Sequence, residues 1–99
     1  MSFYFCKLIS HRPSFPQDIT EQERNLMQEH VRYWTDLVDK KLALAFGPVA
    51  DPQGAWGLAL LQVGALSQAE DLTSNDPVAR AQLGFHYEIY GMPNLVTPK

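Results

Sequence analysis

The sequence predicts an α+β fold with the element order β-α-β-β-α-β. Four apolar segments, residues 3–9, 42–50, 55–63 and 85–90, have the length of strands. Residues 20–41 instead repeat apolar side chains at a spacing of three and four, which indicates an amphipathic helix. A second helix start falls between the third and fourth apolar segments. This order is typical of a ferredoxin-like fold, in which a four-stranded antiparallel sheet carries both helices on one face.

Length, charge and cysteine content narrow the class of protein. The 99 residues suffice for one domain, spanning residues 1–99. The net charge of -3, without a basic stripe, argues against nucleic acid and anionic membrane surfaces as partners. No apolar run approaches the roughly 20 residues of a membrane span. The single cysteine, Cys6, excludes an internal disulfide, so the cytoplasm is the expected location.

The first strand and its loop lead into the long helix. Aromatic and β-branched residues within residues 3–9 favour a strand, and both of its faces are largely apolar. Two prolines within residues 12–18 indicate a loop. Thr20 and Glu23 then have the spacing of a capping box, in which each side chain accepts from the other residue's amide. We therefore expect the helix to begin at this point.

One face of the long helix is apolar. Its members are Leu26, Met27, His30, Tyr33, Trp34, Leu37, Val38 and Lys41. Lys40 and Lys41 place positive charge at the C-terminal end, which the helix dipole favours. The helix is thus predicted to pack on the sheet and to end near residue 41.

The second and third strands are predicted to form an antiparallel hairpin. Residues 51–54 join them, with Pro52 at the first central position of the turn and Gly54 at its end. Pro48 lies inside the second strand and cannot donate a ladder hydrogen bond. The second strand is therefore expected to bend or to lie at a sheet edge.

Two helix starts precede the last strand. Residues 67–70 have the pattern of a capping box, which predicts a helix through about residue 73. Asp76 followed by Pro77 predicts a further start, because Asp caps helices and Pro fits the first helical position. Residues 85–90 are the predicted last strand, and residues 91–99 are expected to be irregular.

Apolar side chains on both faces of the first, third and fourth strands predict a homodimer. In the third strand, Trp56, Leu58 and Leu60 share one face, whereas Ala59, Leu61 and Val63 share the other. The two helices cover only one face of the sheet, and a large apolar patch is rare on a monomer. Packing of the open sheet face against a second copy would cover it.

His30 and Asp76 are the main candidates for chemistry. His30 falls on the apolar face of the long helix, where an imidazole is most often a packed side chain and otherwise a general base. Asp76 is explained equally well as a helix cap. A carboxylate that contacts the imidazole would fix its tautomer and orientation. The spacing of the two residues does not settle whether they meet.

The remaining candidates concern ligand binding. Arg12, together with His11, could hold an anion where the first strand meets its loop, although a solvated loop end is commoner. Trp34 could line a pocket, although aromatic residues at helical spacing usually belong to the core. No ligand pair at helical spacing has a third partner, so no metal is predicted. No cofactor motif is visible, and no cofactor is expected.

The order of several short motifs resembles the YCII-related (YciI-like) family over nearly the whole chain. These motifs are His30 in the first helix, residues 44–48 in the next strand, residues 67–70 and residues 75–77. The resemblance implies a dimeric α+β barrel built from ferredoxin-like protomers, with His30 and Asp76 as its catalytic pair. Val78 departs from the family pattern, which usually has an aromatic residue after Asp-Pro, and would widen or reshape the pocket.

Residues and resemblance together support two functional hypotheses. The first is a small YciI-like enzyme that uses His30 and Asp76 for acid/base chemistry on a small organic molecule, cyclic and aromatic compounds included. Arg12 and Trp34 would then contact the substrate. The alternative is a non-catalytic dimer that binds or senses a small ligand, since a fold does not determine a function. No motif indicates which molecule is bound.

Overall fold

The computed structural model describes residues 1–98 and confirms the predicted α+β fold. Its elements are β1 (Ser2–Ile9), α1 (Glu21–Asp39), β2 (Ala43–Val49), β3 (Trp56–Val63), α2 (Leu66–Ser74), α3 (Pro77–Arg80) and β4 (His86–Met92). The four strands form one sheet in the order β2-β3-β1-β4, and all neighbouring strands are antiparallel. This is the ferredoxin-like order, in which the first and third strands occupy the centre.

The main core lies between the sheet and the helices. Cys6 of β1 pairs with Ala59 of β3 and Ile89 of β4, which places the three side chains on the same sheet face. The buried members of this core are Cys6, Trp34, Leu37, Ala43, Ala59, Leu61, Val63 and Ala69. The apolar face of α1 packs here because its three-and-four spacing brings Trp34 and Leu37 to one side.

A second, smaller core lies where the loop before α1 meets the end of the sheet. Leu8, Phe15, Val78 and Phe85 are its buried members. The Phe15 ring contacts the Phe85 ring edge to face, with 5.1 Å between the ring centres. The proline-rich loop is therefore attached to the sheet by its own aromatic side chain.

The capping box at the start of α1 is confirmed. The Thr20 hydroxyl accepts a hydrogen bond of 3.1 Å from the Glu23 amide, and Oε1 of Glu23 accepts one of 2.9 Å from the Thr20 amide. At the other end Lys40 is the C-cap and Lys41 has a φ of 63°, which ends the helix. The predicted end of the helix is thus correct to within two residues.

The capping box predicted at residues 67–70 is wrong. Helix α2 begins earlier, at Leu66, and its N-cap is Ala65, which makes no side-chain cap. Gln68 occupies the third helical position instead, and its side-chain oxygen accepts a hydrogen bond of 3.1 Å from the Gly64 amide. An amide just before the helix is thereby satisfied without Ser67, so the pattern of polar residues misplaced the start by two positions.

The strands agree with the predicted segments, with two corrections. Phe85 lies before β4, which instead extends to Met92. The outward face of β4 carries His86, Glu88 and Tyr90 and is therefore mostly polar, contrary to the expectation that both faces are apolar. Pro48 lies in β2, which is an edge strand as expected.

The outward face of the central strands is apolar, as the sequence predicts. The ring of Phe5 on β1 lies 5.9 Å from Trp56 and 6.0 Å from Tyr90, measured between ring centres. Leu60 pairs with Phe5 and shares this face, and the Lys7 ammonium lies over the Trp56 ring. Among residues 1–98, no helix is long and apolar enough to cross a membrane.

Candidate functional site

His30 and Asp76 are in direct contact, although they are 46 residues apart in the sequence. His30 lies in the middle of α1, and Asp76 is the N-cap of α3, which packs against α1. The distance between Nδ1 of His30 and Oδ2 of Asp76 is 2.7 Å. The question left open by the sequence is therefore answered by the packing of these two helices.

Asp76 also has the capping role that its sequence context predicts. Its Oδ1 accepts a hydrogen bond of 3.0 Å from the Val78 amide, which caps α3. Its Oδ2 accepts from Nε1 of Trp34 at 2.8 Å and from the hydroxyl of Tyr87, in addition to His30. With four donors around a side chain that is 0% exposed, the carboxylate is fully hydrogen bonded.

The environment keeps Asp76 ionised. Burial by itself favours the neutral acid, but hydrogen bonding and charge from His30, together with the hydrogen bonds from Tyr87 and Trp34, outweigh it. The pKa of Asp76 consequently lies below its usual range. Burial and then the Asp76 charge raise the pKa of Tyr87, so this phenol keeps its proton and serves as a donor.

The contact with Asp76 determines which nitrogen of His30 carries a proton. A carboxylate can only accept hydrogen bonds, so Nδ1 of His30 must be the donor. In the neutral imidazole this leaves Nε2 as an unprotonated acceptor. The His30 side chain is 15% exposed and lines a cavity, so a ligand in that cavity can reach it. This is the arrangement that a general base requires.

The cavity beside His30 is small and almost entirely apolar. Its volume is about 240 Å³, and it lies between α1, the ends of β1 to β3 and the loop before α1. Phe15 and Phe85 from the second core form part of its wall, together with Met27 and Phe46. Val78 does not line the cavity itself, but it belongs to the second core together with the cavity-lining residues Leu8, Phe15 and Phe85.

Arg12 is not brought together with His30. Its guanidinium donates two hydrogen bonds of 2.6 Å to the two carboxylate oxygens of Glu23, and a third of 2.9 Å to Asp18. Arg12 lines a different cleft, beside His11 and Asp51. In this structure it connects the loop before α1 to the start of that helix, and it does not line the cavity beside His30.

The Arg12–Glu23 pair should make part of the stability depend on acidic pH. Hydrogen bonds from Arg12 and from the Thr20 amide lower the pKa of Glu23 from 4.5 to about 2. A carboxyl group with a lowered pKa stabilises the fold above its unfolded pKa, and this contribution disappears as pH falls through the folded value. We expect Glu23→Gln to be less stable than wild type at neutral pH. The difference in free energy of unfolding should shrink between pH 4.5 and about 2.

Urea unfolding at several pH values measures this effect. Glu21→Gln, on the exposed side of the same first helical turn, is the matched control and should differ little from wild type. If the difference in free energy of unfolding between Glu23→Gln and wild type stays constant down to pH 2, the stabilising role assigned to the ionised Glu23 carboxylate is wrong.

Trp34 lies behind the pair and does not line the 240 Å³ cavity, although with His30 it lines a much smaller void of about 10 Å³. It is 0% exposed, and its Nε1 is shared between Asp76 and the hydroxyl of Tyr87 at 2.8 and 3.1 Å. Trp34 therefore holds the carboxylate. Tyr87 was missed by sequence reasoning, although it shares the inward face of β4 with Ile89, as strand alternation could have indicated.

Metal ligands and reactive thiols are not evident at this site. Within residues 1–98, no three His, Cys, Asp or Glu side chains are grouped so as to hold a metal ion. Burial raises the pKa of the Cys6 thiol to about 12, so it is a core side chain and not a nucleophile at neutral pH.

The fold and the site define an α+β protein of ferredoxin-like topology with a buried His–Asp pair beside an apolar cavity. The family model of the YCII-related domain matches residues 3–93, and the chain belongs to this family. The resemblance seen in the sequence is thereby confirmed. A search of curated proteins finds no match.

Proposed function

We propose that this protein is a small enzyme that performs acid/base chemistry on a small organic molecule. His30 is the general base, and Asp76 is the carboxylate that orients it. The observation that carries the proposal is the 2.7 Å contact between Nδ1 of His30 and Oδ2 of Asp76 at the wall of a cavity. Family membership alone does not specify a reaction.

The proposed step is removal of a proton from the bound molecule. Nε2 of His30 accepts the proton, and the imidazolium that forms is stabilised by the negative charge of Asp76. Trp34 and Tyr87 hold that carboxylate in place, so the imidazole keeps its orientation. The proton returns to the substrate at another atom or at the same atom. A positioned base of this kind contributes roughly 10²- to 10⁴-fold in rate.

Replacement of His30 by Gln is expected to abolish proton abstraction. The probes are small neutral carbon acids such as cyclohexanone, incubated with the protein in deuterated water while NMR follows loss of their α-protons. We expect wild type to accelerate exchange for some members of such a set, and His30→Gln to lose roughly 100-fold or more. His86→Gln, the same change at an exposed histidine on β4, should exchange like wild type.

Two results would count against this mechanism. Exchange by His30→Gln at the wild-type rate would exclude His30 as the base. Saturable binding of probes with no exchange by wild type would favour the second candidate, a ligand-binding module, which the small apolar cavity also supports.

We also propose that a second copy of the chain covers the open sheet face. Phe5, Leu60 and Trp56 present apolar surface on the central strands β1 and β3, opposite the helices. Sheets pack face to face through such surfaces. The cytoplasmic location expected from the single cysteine stays a prediction.

Leu60→Asp is expected to convert the dimer into a monomer, because a carboxylate in the apolar interface would be desolvated without a partner. Sedimentation at micromolar concentration measures the change. Leu66→Asp at the exposed start of α2 is the matched control and should remain dimeric. A monomeric wild type under the same conditions would contradict the proposal.

A further inference from the structure

The polar groups at the cavity wall restrict what it can bind. This inference rests on the proposed function, since it concerns the molecule on which His30 acts. None of the fifteen lining residues, all within the described part of the chain, is an Asp, Glu, Lys or Arg. Besides His30, the lining residues with a polar side-chain atom are Ser10 and Trp56. The Trp56 ring itself lies against Phe5 and Lys7 on the outward face of the sheet.

Both of these other polar side chains already donate elsewhere. The Ser10 hydroxyl donates to the carbonyl of Arg12 at 2.9 Å. Nε1 of Trp56 donates to Oδ2 of Asp51 at 3.1 Å. Neither side chain keeps a free donor, although the Ser10 oxygen can still accept, and within residues 1–98 Nε2 of His30 is the polar side-chain atom of the lining that makes no hydrogen bond.

The nearby cations are also engaged away from the cavity. Arg12 is held by Glu23 and Asp18, and the Lys7 ammonium lies over the Trp56 ring on the outward side of the sheet. The nearest fixed charge behind His30 is the carboxylate of Asp76, which repels an anion. While His30 is in its neutral form, an anionic ligand would thus lose its hydration without gaining a counter-charge.

We propose that the ligand of this cavity is an uncharged organic molecule with an apolar body and one polar group directed at His30. A cavity of about 150 Å³ lined by apolar side chains binds benzene. The 240 Å³ found here therefore suits roughly one substituted six-membered ring. Carboxylates and phosphates are excluded by the same argument.

A matched pair of probes tests the proposal that the cavity binds uncharged molecules and excludes anions. Cyclohexanone and cyclohexanecarboxylate have similar shapes and differ in charge at neutral pH. Gly47 and Gly57 line the cavity, so their amide signals in a ¹⁵N-labelled sample report binding. We expect saturable shifts with cyclohexanone and at least tenfold weaker binding of the carboxylate. Equal or tighter binding of the carboxylate would overturn the proposal, as would the absence of saturable shifts with any neutral ring.

A gain of anion binding provides the converse test. Val31 lines the cavity but is 49% exposed, so arginine can be placed there with its charge near solvent. In Val31→Arg, the ratio of the affinity for cyclohexanone to the affinity for cyclohexanecarboxylate should fall at least threefold. Asn25→Arg, which adds the same charge at an exposed position of α1 away from the cavity, should leave it unchanged. An equal preference for cyclohexanone over the carboxylate in the two variants would contradict the proposal that charge decides which ligand binds.

Failure of this inference is distinguishable from failure of the proposed function. If His30→Gln binds cyclohexanone and wild type catalyses no exchange, the ligand class stands and the enzymatic proposal fails. If wild type exchanges protons of an anionic carbon acid as fast as those of a neutral one, the enzymatic proposal stands and the proposed ligand class fails.

Discussion

Replacing Asp76 by Ala is expected to lower the free energy of unfolding by about 3–5 kcal/mol, because several buried donors lose their acceptor at roughly 1–3 kcal/mol each. Oδ2 accepts from His30, Trp34 and Tyr87, and Oδ1 accepts from the Val78 amide. Removal of the carboxylate leaves several of these donors buried without an acceptor. Only Trp34 keeps a partner, because its Nε1 lies 3.1 Å from the Tyr87 hydroxyl.

Asp76→Asn should cost less, about 1–3 kcal/mol, because the amide keeps one acceptor oxygen but turns a donor toward existing donors. Asp71→Ala, at an exposed position of α2, is the control and should change stability by less than about 0.5 kcal/mol. Urea unfolding at one fixed protein concentration measures all three variants, since dimerisation would couple stability to concentration. A single hydrogen bond contributes roughly 1 kcal/mol. An Asp76→Ala variant whose free energy of unfolding lies within about 1 kcal/mol of wild type would therefore show that the donors find other partners.

Trp34→Ala is expected to cost a similar amount, about 3–5 kcal/mol, for a different reason. The side chain is 0% exposed and is the largest fully buried one of the described residues, so its truncation opens a cavity in the main core. The same change removes one of the four donors to Asp76. Packing and hydrogen bonding are therefore lost together.

Trp34→Phe separates these two contributions. It keeps most of the aromatic volume but loses the Nε1 donor, so a cost of about 1–2 kcal/mol is expected from the hydrogen bond. The ¹⁵N signals of the His30 ring should change in this variant if Trp34 positions Asp76. Stability of Trp34→Ala close to that of Trp34→Phe would contradict the assignment of Trp34 to a tightly packed core.

The sequence predicted the features that depend on neighbouring residues. The capping box of Thr20 and Glu23 and the cap at Asp76 are both present, because each needs only side chains within three residues. The capping box predicted at residues 67–70 is wrong for a reason that is also local. Gln68 competes locally with the expected cap, and the sequence pattern does not rank the two alternatives.

The role of Arg12 could not be settled from the sequence. A basic residue at a strand end is compatible with anion binding, with solvation and with an internal ion pair. The structure places both carboxylate oxygens of Glu23 against the guanidinium. Capping already holds Glu23 at the start of α1, so the loop that carries Arg12 closes onto a preorganised partner.

For the site, the sequence by itself determined that His30 lies on the apolar face of a helix and that Asp76 begins another helix. Both statements follow from short-range periodicity and capping. Only the tertiary structure decided that the two side chains meet, that Trp34 and Tyr87 complete the ring of donors, and that an uncharged cavity opens beside them. These contacts join residues 11–53 positions apart, and their geometry depends on how α1 packs against α3 and the sheet.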